Sequence, residues 1–129
     1  MNQSDNLSEN FTYGELACHC GCGMIPQKEF IDRTQNLRTR YGKALHVTSG
    51  ARCPAYNAKV SHTGTTGPHT TGRAVDFLIR GHEAYELLSL AFIDGFTGIG
   101  VSQKGDSRFL HLDDLPDAEG QPRPWVWSY

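Results

Sequence analysis

The sequence PHTTGRAVD at residues 68–76 decides the fold and chemistry of this chain, together with FLHLD at residues 109–113. The first stretch contains His69 and Asp76, with six residues between them, and the second adds His111 within a short apolar run. Two imidazoles and one carboxylate form a ligand set that suits Zn²⁺ with one coordination position left open for water. The two stretches are therefore a candidate zinc site.

A buried strand is predicted around Asp76. Residues 73–79 read RAVDFLI, a largely apolar run that would fix the carboxylate on a rigid element. The TTG segment at residues 70–72 allows a turn just before this strand, so His69 is expected to fold back beside Asp76. The residues alone also admit a simpler interpretation, in which the aspartate caps a neighbouring turn.

A second strand is predicted over residues 109–113, where apolar and polar side chains alternate. Successive side chains of a strand point to opposite faces, so His111 and Asp113 are expected to face the same way. Leu110 and Leu112 would then point to the opposite face. In the simpler interpretation, the histidines of the two stretches are unrelated.

Three motifs resemble those of the M15 zinc peptidases. HTTGRAVD at 69–76 is similar to the His-x-x-Gly-x-Ala-x-Asp core of this family, and HLD at 111–113 to its second zinc-histidine motif. SGAR at 49–52 resembles the family's Ser-Gly-Tyr-Arg segment. The family comprises D-Ala-D-Ala carboxypeptidases and peptidoglycan endopeptidases, and its fold is shared with the hedgehog signalling domain. The resemblance runs from about residue 11 to residue 113 and is closest to the short, single-domain members common in bacteriophages.

The resemblance implies a function and a set of site residues. His69, Asp76 and His111 would hold one zinc ion per chain. Arg52 would bind a substrate carboxylate as a catalytic and substrate-binding residue, with Ser49 beside it in the substrate site. The implied reaction is hydrolysis of an amide in a peptidoglycan stem peptide or cross-link, by a D,D-carboxypeptidase or endopeptidase. A phage lysis enzyme, or endolysin, is the implied setting.

The general base has two candidates. Several members of the family carry a carboxylate three residues before the second zinc histidine, where this chain has Arg108. Asp113 is the first candidate, because strand alternation places it on the ligand face; its other role would be to accept a hydrogen bond from a ligand imidazole. Asp106, in the turn before the strand, is the second candidate.

Two functions from other classes stay open. The first is a non-catalytic, zinc-bearing module that binds the cell wall, as hedgehog domains show for this fold. The second is a structural phage component whose cleft docks another protein or the cell wall. Zinc content together with hydrolytic turnover separates the enzyme from both.

Composition bounds the remaining classes. A chain of 129 residues is expected to form one domain over residues 11–129, with a flexible tail at residues 1–10. A formal net charge of −2 gives no reason to expect a nucleic-acid or membrane partner. The polar start lacks a signal-peptide pattern, so we expect synthesis in the cytoplasm and action on the cell wall, through a phage holin or from the virion. A monomer acting on peptidoglycan peptides is expected.

All four cysteines lie outside these motifs, at positions 18, 20, 22 and 53. Structural zinc sites usually space each pair of cysteines more widely than alternate residues. A tight knuckle of small residues with some buried free thiols is therefore the first expectation. A disulfide and a second metal site are the alternatives.

An α+β fold is expected, with a small, mainly antiparallel sheet and helices packed against it. Helical patterns cover residues 26–41, 54–60 and 81–94, and strand patterns cover residues 44–49, 73–79, 98–102 and 109–113. The last helix is expected to have an apolar face marked by Tyr85, Leu88 and Phe92, with Leu87 and Ala91 alongside. The aromatic residues within 125–129 are expected either to pack on the body or to line one wall of the cleft.

Overall fold

A five-stranded sheet is the centre of the computed structural model, which describes all 129 residues. The strands are β1 (His46–Ser49), β2 (Ala74–Leu78), β3 (Gly98–Ser102), β4 (Phe109–Asp113) and β5 (Trp125–Ser128). The helices are α1 (Tyr13–Leu16), α2 (Lys28–Tyr41), α3 (Pro54–Val60) and α4 (Gly81–Ile93), with a 3₁₀ turn at Pro68–Thr71. The expected α+β class is confirmed.

The strands are arranged in the order β1-β2-β4-β3-β5. Every neighbouring pair is antiparallel except β3 and β5, which run parallel. The sheet is therefore mainly antiparallel, as expected, and β3 and β4 form the predicted hairpin. The strand β5 adds an edge that the sequence patterns did not predict.

One face of the sheet carries the hydrophobic core. Val75, Phe77, Leu110 and Leu112 alternate with the polar residues of β2 and β4 and are essentially fully buried. The two long helices cover this face. Their main buried residues are Phe30, Ile31, Leu37, Tyr41, Ala84, Leu87 and Ala91. Burial of each large apolar side chain stabilises the fold by about 1.5–3 kcal/mol. Because the core on this face supplies that stability, the opposite face of the sheet can carry polar residues.

Helix α4 buries only part of the predicted apolar face. Ala84, Leu87 and Ala91 face the core, whereas Tyr85 is 77% and Phe92 62% exposed. Two apolar stripes with helical spacing run along this helix, and the smaller side chains let it pack closer to the sheet. The predicted burial of Leu87 and Ala91 is confirmed, whereas the predicted burial of Tyr85 and Phe92 is wrong. None of the helices has the length and apolar character needed to cross a membrane.

Residues 1–10, the predicted flexible tail, form hydrogen bonds with the body of the domain. The N–H of Tyr13 donates to the carbonyl of Asp5 at 2.7 Å, and the N–H of Gly14 donates to that of Gln3 at 2.9 Å. Leu7 packs against the core, and the hydroxyl of Ser8 donates to Gln35 on α2. Backbone hydrogen bonds thus tie this segment to the domain.

Candidate metal centre

The second face of the sheet carries a single row of residues that crosses all five strands. Ser49 pairs with Asp76, Asp76 with His111, His111 with Gly100, and Gly100 with Trp127. Cross-strand partners on one face stand side by side, so strand register alone brings the carboxylate and the second imidazole together. Asp76 and His111 lie on adjacent central strands, the most rigid place that the fold offers.

The first imidazole comes from the 3₁₀ turn at Pro68–Thr71. His69 is 5% exposed, and its Nδ1 lies 2.7 Å from the carbonyl oxygen of Gly50. A carbonyl only accepts hydrogen bonds, so Nδ1 carries the proton and Nε2 presents its lone pair. This Nε2 lies 3.2 Å from Oδ1 of Asp76, as the turn before β2 was predicted to allow.

Three ligand atoms converge on one point. Oδ1 of Asp76 lies 3.1 Å from Nδ1 of His111 and 3.2 Å from Nε2 of His69, and the three ligand atoms all lie within 4.8 Å of one another. Ligands bound at about 2.0–2.1 Å in a tetrahedron stand roughly 3.3 Å apart. The separations therefore suit Zn²⁺.

The outward nitrogens provide a second test of this fit. His111 donates from Nε2 to Oδ2 of Asp113 at 2.7 Å, while His69 donates to Gly50. In their neutral forms, both rings turn a lone pair toward the carboxylate oxygen of Asp76. Three acceptors at this distance repel one another unless a cation lies between them, so the donor set fits a bound metal ion.

The pKa values follow from the same contacts. Burial raises the pKa of Asp76, but hydrogen bonds from His111 and His69 outweigh this effect and hold the pKa well below its ordinary value. Burial lowers the pKa of His111, but its bonds to Asp113 and Asp76 raise it overall.

Asp113 serves the site from behind His111. The residue is fully buried, and Nε and Nη2 of Arg123 donate to its two oxygens at 2.9 and 2.8 Å. Burial raises the pKa of Asp113, but its bonds with His111 and Arg123 lower it to about 2. A carboxylate saturated in this way cannot reach a substrate water. The geometry favours the hydrogen-bond acceptor role and does not support the general-base role.

The other aspartates near the strand are also distant from the cleft. Asp106, our second candidate base, lines a separate surface cavity with Tyr41 and Arg108, so the structure does not support its proposed role. Asp114 accepts two hydrogen bonds from Arg73 at 2.8 Å and a third from Arg33. Neither carboxylate faces the metal centre.

Arg52 lies in the cleft, as expected. Its Nε donates to the Ser49 hydroxyl at 2.9 Å and its Nη1 to the amide oxygen of Asn57 at 3.0 Å, while Nη2 lies 3.6 Å from Oδ2 of Asp76. A guanidinium has five N–H donors, so donors remain for a substrate carboxylate. Ser49 does not line the cleft and positions Arg52, which differs from its expected substrate-binding role.

A cleft of about 630 Å³ opens over the metal centre. Its lining residues are Arg52, Val60, Ser61, His62, Thr63, Thr66, Gly67, Pro68, His69, Asp76, Phe109, His111, Gly120, Gln121, Arg123, Trp127 and Tyr129. Asp76 is the only carboxylate among them. Apart from the ligand set and the arginines, His62 and Tyr129 are the groups in the cleft able to exchange a proton.

Residues 61–68 form one wall of the cleft, and Asn57 holds this loop in place. The side-chain amide of this buried residue donates to Thr63 at 2.8 Å and to the carbonyl of Gly64. A Cβ at Gly67 would overlap the Thr63 side chain, which explains the absence of a side chain at position 67. His62 is exposed on this polar loop, and its side chain lines the cleft.

Strand β5 forms the opposite wall. Trp127 lies 5.0 Å from the His111 ring, and Tyr129 lies 5.0 Å from Phe109, between ring centroids. Of the two placements expected for the C-terminal aromatic residues, the cleft wall is observed for these two. Burial raises the pKa of the Tyr129 hydroxyl, which keeps it a hydrogen-bond donor at neutral pH.

Sequence patterns missed Arg123 and Asn57. Arg123 lies in a segment rich in proline and glycine, and its partner Asp113 is ten residues away, so no periodicity links them. Asn57 lies on a short helix where an amide has no distinguishing pattern. Both residues act through side-chain hydrogen bonds that follow no helix or strand period.

Comparison with known proteins agrees with this geometry. Residues 9–113 match the protein family described as Peptidase M15. No curated protein matches the chain.

Proposed function

Because the chain belongs to the Peptidase M15 family, we propose that it is a zinc-dependent hydrolase that cleaves an amide bond in peptidoglycan stem peptides or cross-links. The observation that carries this proposal is the convergence of His69, Asp76 and His111 on the floor of an open cleft. Bound there, Zn²⁺ would polarise the scissile carbonyl and lower the pKa of a water ligand toward about 7.

Arg52 selects and orients the substrate in this proposal. Its remaining N–H donors face the cleft and bind a carboxylate of the stem peptide through charge-assisted hydrogen bonds. Ser49 and Asn57 hold the guanidinium in a fixed orientation, so little side-chain entropy is lost when the substrate binds. A peptide with a free carboxylate near its scissile bond is therefore favoured over an uncharged one.

His62 takes the water proton and passes it to the leaving amine. No carboxylate other than the ligand Asp76 lines the cleft, and His62 is the one imidazole there outside the ligand set, a side chain that can accept a proton. Tyr129, on the opposite wall, donates a hydrogen bond to the substrate. A base carried by a loop can approach the substrate as the loop closes.

We propose a phage lysis role, which is supported by the resemblance to the short members of the family common in bacteriophages. We propose that the protein is made in the cytoplasm and reaches the cell wall through a holin or from the virion. Its partner is the peptidoglycan peptide, with no part for nucleic acid or membrane, and it works as a monomer. Activity on intact cell walls added from outside would support this setting.

A non-catalytic zinc-bearing module that binds the cell wall is the second candidate. The observation that favours it is the absence of a second carboxylate from the cleft. Such a module would use the same zinc and Arg52 to hold a stem peptide without cutting it. It predicts zinc and peptidoglycan binding with no turnover.

The deciding experiment is digestion of purified peptidoglycan by the zinc-loaded protein. Mass spectrometry of the released fragments identifies the bond that is cut, and Asp106→Asn serves as a control that changes an aspartate outside the cleft. The proposal expects fragments from wild type and the control, and none from His69→Ala. Binding to peptidoglycan without any fragment would establish the binding module instead.

A further inference from the structure

The four cysteines form a second cluster away from the cleft. Cys18, Cys20 and Cys22 follow α1, and Cys53 precedes α3, more than thirty residues later. Their four sulfur atoms all lie within 4.8 Å of one another. The sulfurs of Cys18 and Cys20 are 3.4 Å apart, and those of Cys20 and Cys53 are 3.6 Å apart.

These distances fit a metal site better than a disulfide. All four cysteines are free, and a sulfur–sulfur bond would bring two atoms to about 2.05 Å. Four thiolates at about 2.3 Å from a tetrahedral Zn²⁺ stand roughly 3.8 Å apart. The observed separations fall close to that value, and the expected disulfide alternative does not agree with them.

A knuckle of free thiols does not explain the convergence either. Cys20 and Cys22 are exposed, so no apolar packing draws their side chains inward. Gly21 and Gly23 follow them with φ of 86° and 90°, a left-handed conformation that reverses the backbone after each cysteine. These two turns let alternate residues face one point, despite a spacing narrower than usual.

Backbone donors already point at the sulfurs. The N–H of Cys53 donates to Sγ of Cys18 at 3.3 Å, and the N–H of Tyr56 donates to Sγ of Cys53 at 3.4 Å. Such donors stabilise the negative charge that a metal-bound thiolate carries. The cluster therefore has its four ligands and part of the hydrogen-bond shell that supports them.

We propose that Cys18, Cys20, Cys22 and Cys53 form a closed structural site for a second Zn²⁺ ion. With four protein ligands, no position is left for water, so this ion stabilises the fold without chemistry of its own. The site joins the segment after α1 to the segment that carries Arg52. The N–H of Ala51 donates to the carbonyl of Leu16 at 2.9 Å, so the two segments already touch beside the cluster.

Zinc counting on three proteins tests this proposal independently of any enzymatic activity. Protein purified with zinc and reductant is measured by native mass spectrometry and metal analysis. Wild type is expected to hold about two zinc ions per chain and the His69→Ala/His111→Ala variant about one. The Cys20→Ser/Cys22→Ser variant is also expected to hold about one, retained by the histidine centre.

Cobalt(II) substitution identifies which site holds the ion. Wild type and the histidine variant should both show thiolate-to-cobalt charge-transfer absorption, and the cysteine variant should lack it. If the cysteine variant does not fold, zinc content and cobalt absorption of the wild-type protein and the histidine variant still test the proposal. A single zinc per wild-type chain overturns the proposal, as do thiols that iodoacetamide alkylates freely in the folded protein. A mass deficit from a disulfide overturns it as well.

Discussion

The histidine–aspartate centre and the cysteine cluster gather ligands in opposite ways. Asp76 and His111 are neighbours on central strands, and their positions follow from sheet register. The cysteines lie on two loops, and turns at Gly21 and Gly23 bring them together. The first arrangement leaves one side open to a cleft, whereas the second encloses its centre with four sulfurs. The contrast teaches that a rigid sheet suits a reactive centre and that loops suffice for a closed one.

Removing a ligand from the open centre should have the largest effect. His111→Ala leaves two ligands for the metal of this centre, so we expect that one zinc ion to be lost and kcat/KM to fall by about 10⁴-fold or more, since the metal contributes several kcal/mol. Metal analysis and a peptidoglycan assay measure both changes. His46→Ala, an exposed histidine on β1, is the control. If His111→Ala holds as much zinc as wild type, the central strands do not supply the ligands, and the contrast between the two centres is wrong.

A substitution of His62 tests whether a residue on a loop acts as the general base beside metal ligands that lie on strands. If His62 accepts the water proton, His62→Gln should lower kcat by roughly 10²–10⁴-fold while zinc content is unchanged. Steady-state kinetics at saturating zinc measures this loss. His82→Gln changes an exposed histidine at the start of α4 and should leave kcat unaltered. Equal rates for the two variants would remove His62 from the mechanism.

Arg52 lies between the two ligand clusters, next to Cys53 and in contact with Asp76. A charge-assisted bond to a substrate carboxylate is worth roughly 1.5–3 kcal/mol, so Arg52→Ala should raise KM on the order of ten- to a hundred-fold. The measurement uses stem peptides with a free or an amidated carboxylate. Arg108→Ala removes an arginine outside the cleft and is the control. An equal loss on both peptides would show that Arg52 supports Asp76 rather than the substrate.

The smallest effect on activity is expected from Asp113, which lies behind the ligand His111. Asp113→Asn removes the charge that orients His111, so zinc affinity should weaken by about 10–100-fold. Activity should recover in excess zinc, because Asp113 takes no part in proton transfer. A zinc titration of kcat measures the recovery, with Asp106→Asn beside it. A kcat that stays low at saturating zinc would restore Asp113 as a candidate base.

The sequence predicted those features that depend on local periodicity. Alternation in FLHLD placed His111 and Asp113 on one face, and the apolar run around Asp76 predicted β2. What it missed depends on contacts between distant segments. Arg123 reaches Asp113 only after the chain has turned back, and β5 joins β3 in parallel through a segment without strand periodicity.

Two kinds of error have a simple physical cause. Asp113 was predicted on the correct face, but alternation does not report depth, and the carboxylate lies beneath His111 instead of in the cleft. Helix α4 carries two apolar stripes, and only packing distance decides between them. Side-chain depth and stripe choice are tertiary properties that a periodic pattern does not contain.

The row that crosses all five strands, from Ser49 to Trp127, has one more consequence. Side chains alternate with a period of two, so a slip of one residue in any central strand would turn its polar row into the core. Such a slip would bury Asp76 or His111 among leucines and expose the residues that stabilise the sheet. A misaligned chain would therefore fail to fold before it failed to bind metal. Correct strand register and correct ligand placement are therefore one requirement, because every molecule that folds has already aligned Asp76 with His111.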